Sequence, residues 1–263
     1  MRPDGSFVRE PSPDLLGGEL ALHGRVMPAS NATFVGDVSG TTVVYKPIAG
    51  ERPLWDFPDG TLADRERSAY LVSEALGWDV VPLTFLRDGP HGPGMVQVWQ
   101  EPADDEEAVT VVRSLAERPG WLHVFDGVDD RDHDVSLVHE DSGSLRRMVV
   151  FDAVVNNADR KGGHVLPMAG GHRYGVDHGV SFHTDPKLRT VLWGWAGEAM
   201  SDDELTGLEV VAAALDADLG EALGPHLTPY EIEATRRRVA RMLRTGKMPM
   251  PRGDWPAIPW PPF

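Results

Sequence analysis

A chain of 263 residues with 41% hydrophobic content can bury a sizeable core as one large domain or two lobes, so disorder is not expected. Its formal net charge of −16 excludes a general affinity for nucleic acid or anionic membrane, because binding phosphates needs clustered Lys and Arg. The lack of any cysteine excludes disulfides, thiolate zinc sites and cysteine nucleophiles. Together with the missing apolar leader and the absence of any run near the roughly 18 apolar residues of a spanning helix, it leads us to expect a soluble cytoplasmic protein without stable membrane insertion.

Taken in order, residues 11–22 predict a short covering helix that opens with Pro and Asp. Strands are expected over 20–27, 30–35 and 41–46, with 36–40 as a hairpin loop. Lys46 falls inside the last of these, where a strand lysine needs an anionic partner. Residues 47–60 read as a loop, and 63–76 as a helix that carries Glu66 in its first turns and stops at Gly77. Strands follow over 80–86 and 94–100 around the turn at 88–93, and the acidic run 104–107 reads as a solvated face in a linker. We place a lobe boundary there, dividing the chain into 1–102 and 103–263.

Residues 109–143 are weakly periodic, with 126–134 loop-like; 145–155 is helical or buried; and 183–195 has no clear period. The capping pattern Ser201-Asp-Asp-Glu204 predicts a helix over 201–223, and Thr228-Pro229 another over 228–244 with acids first and bases last. The Pro-rich tail 248–263 is expected to be extended, with Trp255, Trp260 and Phe263 packed on the body.

The chain is organised around Asn156-Asn-Ala-Asp-Arg-Lys-Gly-Gly-His164, followed by Val176-Asp-His-Gly-Val-Ser-Phe182. This pattern sets Asp159 and Asp177 at adjacent strand ends, an arrangement suited to holding a metal and a phosphate chain. Upstream, Ser30, Asn31 and Thr33 lie in a turn positioned to cap phosphates, with Lys46 reaching in from the next strand.

In combination, Ser30-Asn-Ala-Thr-Phe34, Val43-Val-Tyr-Lys-Pro47, Arg65-Glu66, Asn156-Asn-Ala-Asp-Arg160 and Val176-Asp-His-Gly179 resemble the phosphatidylinositol 3-/4-kinase superfamily, near the type II phosphatidylinositol 4-kinases and HipA-type kinases. The resemblance spans about residues 25–185. It implies an α+β, two-lobed protein-kinase-like fold with an antiparallel β N-lobe and a mainly helical C-lobe, using ATP with Mg²⁺ or Mn²⁺ for phosphoryl transfer. A protein or small-molecule acceptor is expected over a lipid because no basic membrane-facing stripe is visible apart from residues 236–244. By position, Lys46 would hold phosphates with Glu66 as its partner, and Asp159 with Arg160 would form the catalytic loop. Asp177 would be a metal ligand, and the Gln97, Trp99 and Glu101 stretch would be the hinge that meets adenine.

One position departs from the pattern. Five residues after Asp159 these families carry an Asn that binds the second metal, and here His164 takes its place; imidazole suits Zn²⁺ or Mn²⁺ better than Mg²⁺. Two other readings stay open: a nucleotide-binding pseudokinase, and a metal-dependent hydrolase using His164, Asp177, His178 and His183.

Overall fold

The computed structural model describes residues 8–26, 31–52, 54–57, 61–253 and 255–263. After a one-turn helix α1 (Pro13–Gly17), capped by the Ser12 hydroxyl, the chain enters β1 (Leu20–Arg25), β2 (Phe34–Val38) and β3 (Thr41–Pro47). The expected longer first helix is cut short because Leu20 already pairs with Val38. The expected 36–40 loop shrinks to Ser39-Gly40, and both residues adopt positive φ (51° and 83°), as a tight two-residue hairpin of this twist requires.

α2 (Leu62–Leu76) starts at the Thr61 cap and ends at Gly77, whose φ of 70° only glycine adopts at little cost. β4 (Thr84–Gly89) and β5 (Gly92–Val98) complete an antiparallel sheet in the order β1-β2-β3-β5-β4. β4 begins later than the sequence pattern indicates, since Val80 and Val81 are buried in the main core and Val81 N–H donates to the Ser73 hydroxyl. One face of the sheet packs Val43, Tyr45, Phe85 and Val96 into a cluster of their own, leaving Lys46 on the opposite face.

The stretch 109–143 is not irregular. It holds β6 (Val109–Val112), β7 (Leu122–Val128) and β8 (Asp134–His139), a sheet in the order β6-β8-β7. Its period is hard to read because β7 is only half covered and carries polar residues on its open side. The acidic run is only partly solvated: Glu106 pairs with Arg173 at 2.7 Å, and Glu107 pairs with Arg118.

α3 (Gly143–Val155) runs through the centre of the main core, with Leu145 and residues 148–155 buried, so the apolar run before the central motif is a helix and not a strand. Its last turn is closed by Asn156 in the left-handed conformation, φ 55°. A short hairpin, β9 (Val165–Pro167) and β10 (Arg173–Gly175), follows.

The single helix expected over 201–223 is two, α4 (Asp202–Leu215) and α5 (Asp218–Leu223), broken at Asp216-Ala217. A Cβ on Gly220 would fall 2.2 Å from the Leu215 carbonyl, so the tight junction depends on that glycine. α6 (Pro229–Thr245) follows, and the tail then lies along the body. Trp255 donates to the Lys187 carbonyl and Phe263 covers Gly162, whereas Trp260 is exposed, contrary to its expected packing.

Thr228 and Glu231 form a reciprocal capping box at the start of α6. Thr228→Ala removes the side-chain acceptor for the Glu231 N–H and is expected to cost about 1 kcal/mol. Urea denaturation should register this as a lower midpoint at unchanged slope.

Candidate active site

Lys46 projects from β3 toward α2, where Glu66 is almost fully buried. The Lys46 ammonium donates to Glu66 Oε1 at 2.7 Å and to Asp177 Oδ1 at 2.8 Å. Burial by itself would lower the Lys46 pKa, but the two carboxylates outweigh it and hold the ammonium firmly charged. The second oxygen of Glu66 accepts the backbone N–H of His178 at 2.9 Å, so one carboxylate fastens both the strand lysine and the loop that carries Asp177.

Asp177 sits just beyond β10 at a φ of 62°, a conformation Asp tolerates better than most side chains. Lys46 is the chief reason its carboxyl is held far below the usual range. Its other oxygen lies 3.4 Å from His164 Nε2. His164 Nδ1 is 2.9 Å from the Asp159 carbonyl, which can only accept, so the proton sits on Nδ1 and Nε2 presents a lone pair toward Asp177. Burial lowers the His164 pKa and favours this neutral form.

Asp159 follows α3 and is shaped by its neighbours. Asn157 Oδ1 accepts the Asp159 N–H, and the Asn157 amide donates to Asp152 on α3. Burial raises the Asp159 carboxyl above its ordinary pKa, an effect partly offset by Lys161, 3.5 Å away.

Arg160 is placed differently from the sequence expectation of a directly catalytic residue. It is fully buried, and its five N–H groups meet five acceptors: both Asp152 oxygens, the carbonyls of His164 and Val176, and His178 Nε2. No donor remains for a substrate, so Arg160 acts by positioning the loop. Asp152 is the residue the sequence reading missed. Its signal is a lone acid inside the apolar run 148–155, since a buried carboxylate requires a cation. Asp152→Ala strands a buried guanidinium and is expected to destabilise the fold by about 3–5 kcal/mol; a denaturation midpoint equal to that of the wild type would contradict this.

The hydrolase set is not brought together: among the described residues no three of its ligand types gather for a metal, and His178 Nε2 and His183 Nδ1 accept from Arg160 and from the Asp185 N–H.

The remaining expected residues are distributed as follows. Ser30 lies outside the described residues. Asn31 Oδ1 accepts the Arg52 N–H, and the Thr33 hydroxyl donates to the Asn31 carbonyl, so both serve their own loop. Gln97 is buried within β5, where its side chain donates to the Thr84 hydroxyl. Trp99 and Glu101, joined at 2.8 Å, follow β5 at the surface.

Among the described residues no group of three or more His, Asp, Glu or Cys side chains gathers in a way that could hold a metal. Asp177 with His164 nevertheless fits a divalent ion such as Mn²⁺ that accepts one imidazole and would complete its shell with phosphate oxygens and water.

No family model matches the chain. Protein Rv2133c of Mycobacterium tuberculosis (strain ATCC 25618 / H37Rv) is 49% identical over 262 residues, covering 95% of this chain and 94% of that protein. Among solved structures, the Golgi casein kinase aligns with a TM-score of 0.54 over 91% of this chain and 77% of its own at 13% identity. The Helicobacter pylori proinflammatory kinase CtkA aligns with a TM-score of 0.50 over 90% and 97% at 12% identity. The fold is therefore kinase-like, with an antiparallel β N-lobe and a mainly helical C-lobe.

Proposed function

Because the chain belongs to the same family as Mycobacterium tuberculosis protein Rv2133c and folds like a kinase, we propose that it is an ATP-dependent phosphotransferase. The observation that carries this reading is the single Lys46 ammonium held between Glu66 and Asp177. Phosphoryl transfer asks a protein chiefly for position and charge, and this cluster supplies both.

In this reading Lys46 offsets phosphate charge, with Glu66 holding its position from α2. Asp177 and His164 would hold a Mg²⁺ or Mn²⁺ ion, which would supply neutralisation of phosphate charge. Asp159 orients the acceptor hydroxyl and takes its proton as the new oxygen–phosphorus bond forms and the bond to ADP breaks. Its raised pKa makes it a stronger base than an exposed Asp. The 102/103 division separates the lobes, and backbone groups of Gln97 to Glu101 form the adenine hinge.

We assign the chain to the phosphatidylinositol 3-/4-kinase-like group, with a protein or small molecule as the acceptor in preference to a lipid, and to the cytoplasm. No described helix is long and apolar enough to cross a membrane. His164 in place of an oxygen ligand favours one competing reading, a pseudokinase that binds nucleotide without transferring phosphate.

Thermal-shift titration of ATP with Mg²⁺ or Mn²⁺, followed by transfer of radiolabelled γ-phosphate, tests both readings. A metal-dependent rise in midpoint with label transferred supports the kinase, a rise without transfer supports the pseudokinase, and no rise with any metal removes both.

A further inference from the structure

α6 carries a basic series that the proposed phosphotransfer site leaves unused. Where its inner edge meets Pro186, Leu188, residues 247–250, Arg252 and Trp255, it closes a cavity of about 280 Å³. Leu188, Met242, Met248 and Trp255 give the cavity apolar walls. Arg238, Arg241, Lys247 and Arg252 give it a basic rim, and no carboxylate lines it among the described residues. This runs against the composition of a chain with 41 acidic and 25 basic residues.

Arg238 shows what the cavity does to a cation. Its donors go to the carbonyls of Val154 and His183 and to the Thr235 hydroxyl, none of them charged. Burial pushes its guanidinium down to about 9. Arg241, Lys247 and Arg252 form no ion pair among the described residues. Four cations around an apolar hollow attract an anion that brings its own apolar surface.

We infer that this cavity binds one medium-chain carboxylate, its alkyl chain against Leu188, Met242, Met248 and Trp255 and its head at Arg241 and Arg252. The volume is at the small end of the roughly 300–1,000 Å³ typical of ligand pockets, enough for one short chain and too little for a diacyl lipid. The pocket also touches Asn156, whose side chain holds the His183 and Asp185 carbonyls and the Lys187 N–H. An occupant therefore bears on the residue that closes α3 just before Asp159.

Isothermal titration of the full chain with decanoate, below its micelle concentration and without nucleotide, tests the assignment independently of phosphotransfer. Saturable one-to-one binding is expected, with decanol and decyltrimethylammonium weaker by about 10-fold or more, as expected for loss of a charge-assisted contact. Arg241→Glu with Arg252→Glu should weaken decanoate by at least about 10-fold. Both residues are exposed, so an unchanged thermal midpoint would confirm folding.

Met242→Trp should block the hollow. Because Met242 is itself a core residue, Met250→Asp at the exposed rim serves as the second variant and should also weaken binding. Non-saturable uptake, equal affinity for decanol, a roughly tenfold preference for decyl phosphate, or unchanged binding in the charge-reversal variant would each overturn the inference.

Discussion

Asp177→Asn is expected to abolish metal-dependent nucleotide binding while leaving the protein folded. The substitution removes the charge that faces Lys46 and His164 but keeps the shape, and Lys46 retains Glu66 at 2.7 Å. With ATP and metal at about 100 times the dissociation constant, the wild type gains roughly 2.7 kcal/mol by mass action, and the variant should gain almost none. Thermal shift with and without metal measures the difference. A variant that keeps the wild-type, metal-dependent rise would remove Asp177 from the metal site and with it the main support for the kinase reading.

Asp159→Asn separates binding from chemistry. Asp159 contributes its carbonyl to His164 and its N–H to Asn157 through the backbone, so the loop should survive loss of the carboxylate charge. Nucleotide affinity is expected to stay near that of the wild type, while turnover falls by about 10²–10⁴-fold, the usual contribution of a positioned base.

The pH profile adds a sign. A carboxyl whose pKa is raised by burial loses its basic form at a higher pH than an exposed Asp, so the acid limb of the wild-type rate profile should be displaced upward. In the Asn variant that limb should disappear. Equal turnover in the two proteins would show that Asp159 is not the base.

These expectations rest on residues of unequal legibility. Lys46, Glu66, Asp159 and Asp177 are ionisable residues at spacings that the elements on either side explain, and the structure brings Lys46, Glu66 and Asp177 into direct contact. Arg160 stood out in the sequence for its place in the motif, but its depth was not visible there. A guanidinium that meets five protein acceptors differs from one facing a substrate only once the fold brings α3 and the loop after β10, with Asp152, Val176 and His178, around it. The phosphate-loop residues Asn31 and Thr33 were similarly ambiguous, since a polar side chain in a turn can serve a ligand or its own backbone with the same composition.

By itself the sequence determined the local structures that short-range chemistry controls. The caps at Ser201 and Thr228, the stop at Gly77 and the β3 strand carrying Lys46 depend on neighbours within a few residues. Tertiary structure alone decided the β6-β8-β7 sheet, whose half-exposed strands carry little periodic signal, and the break between α4 and α5, which depends on Gly220 meeting Leu215. It also decided the meeting of Lys46 with Asp177 at a sequence separation of 131, because a charge pair that far apart in the chain forms only once the core beneath α2 and α3 has set the distance between them.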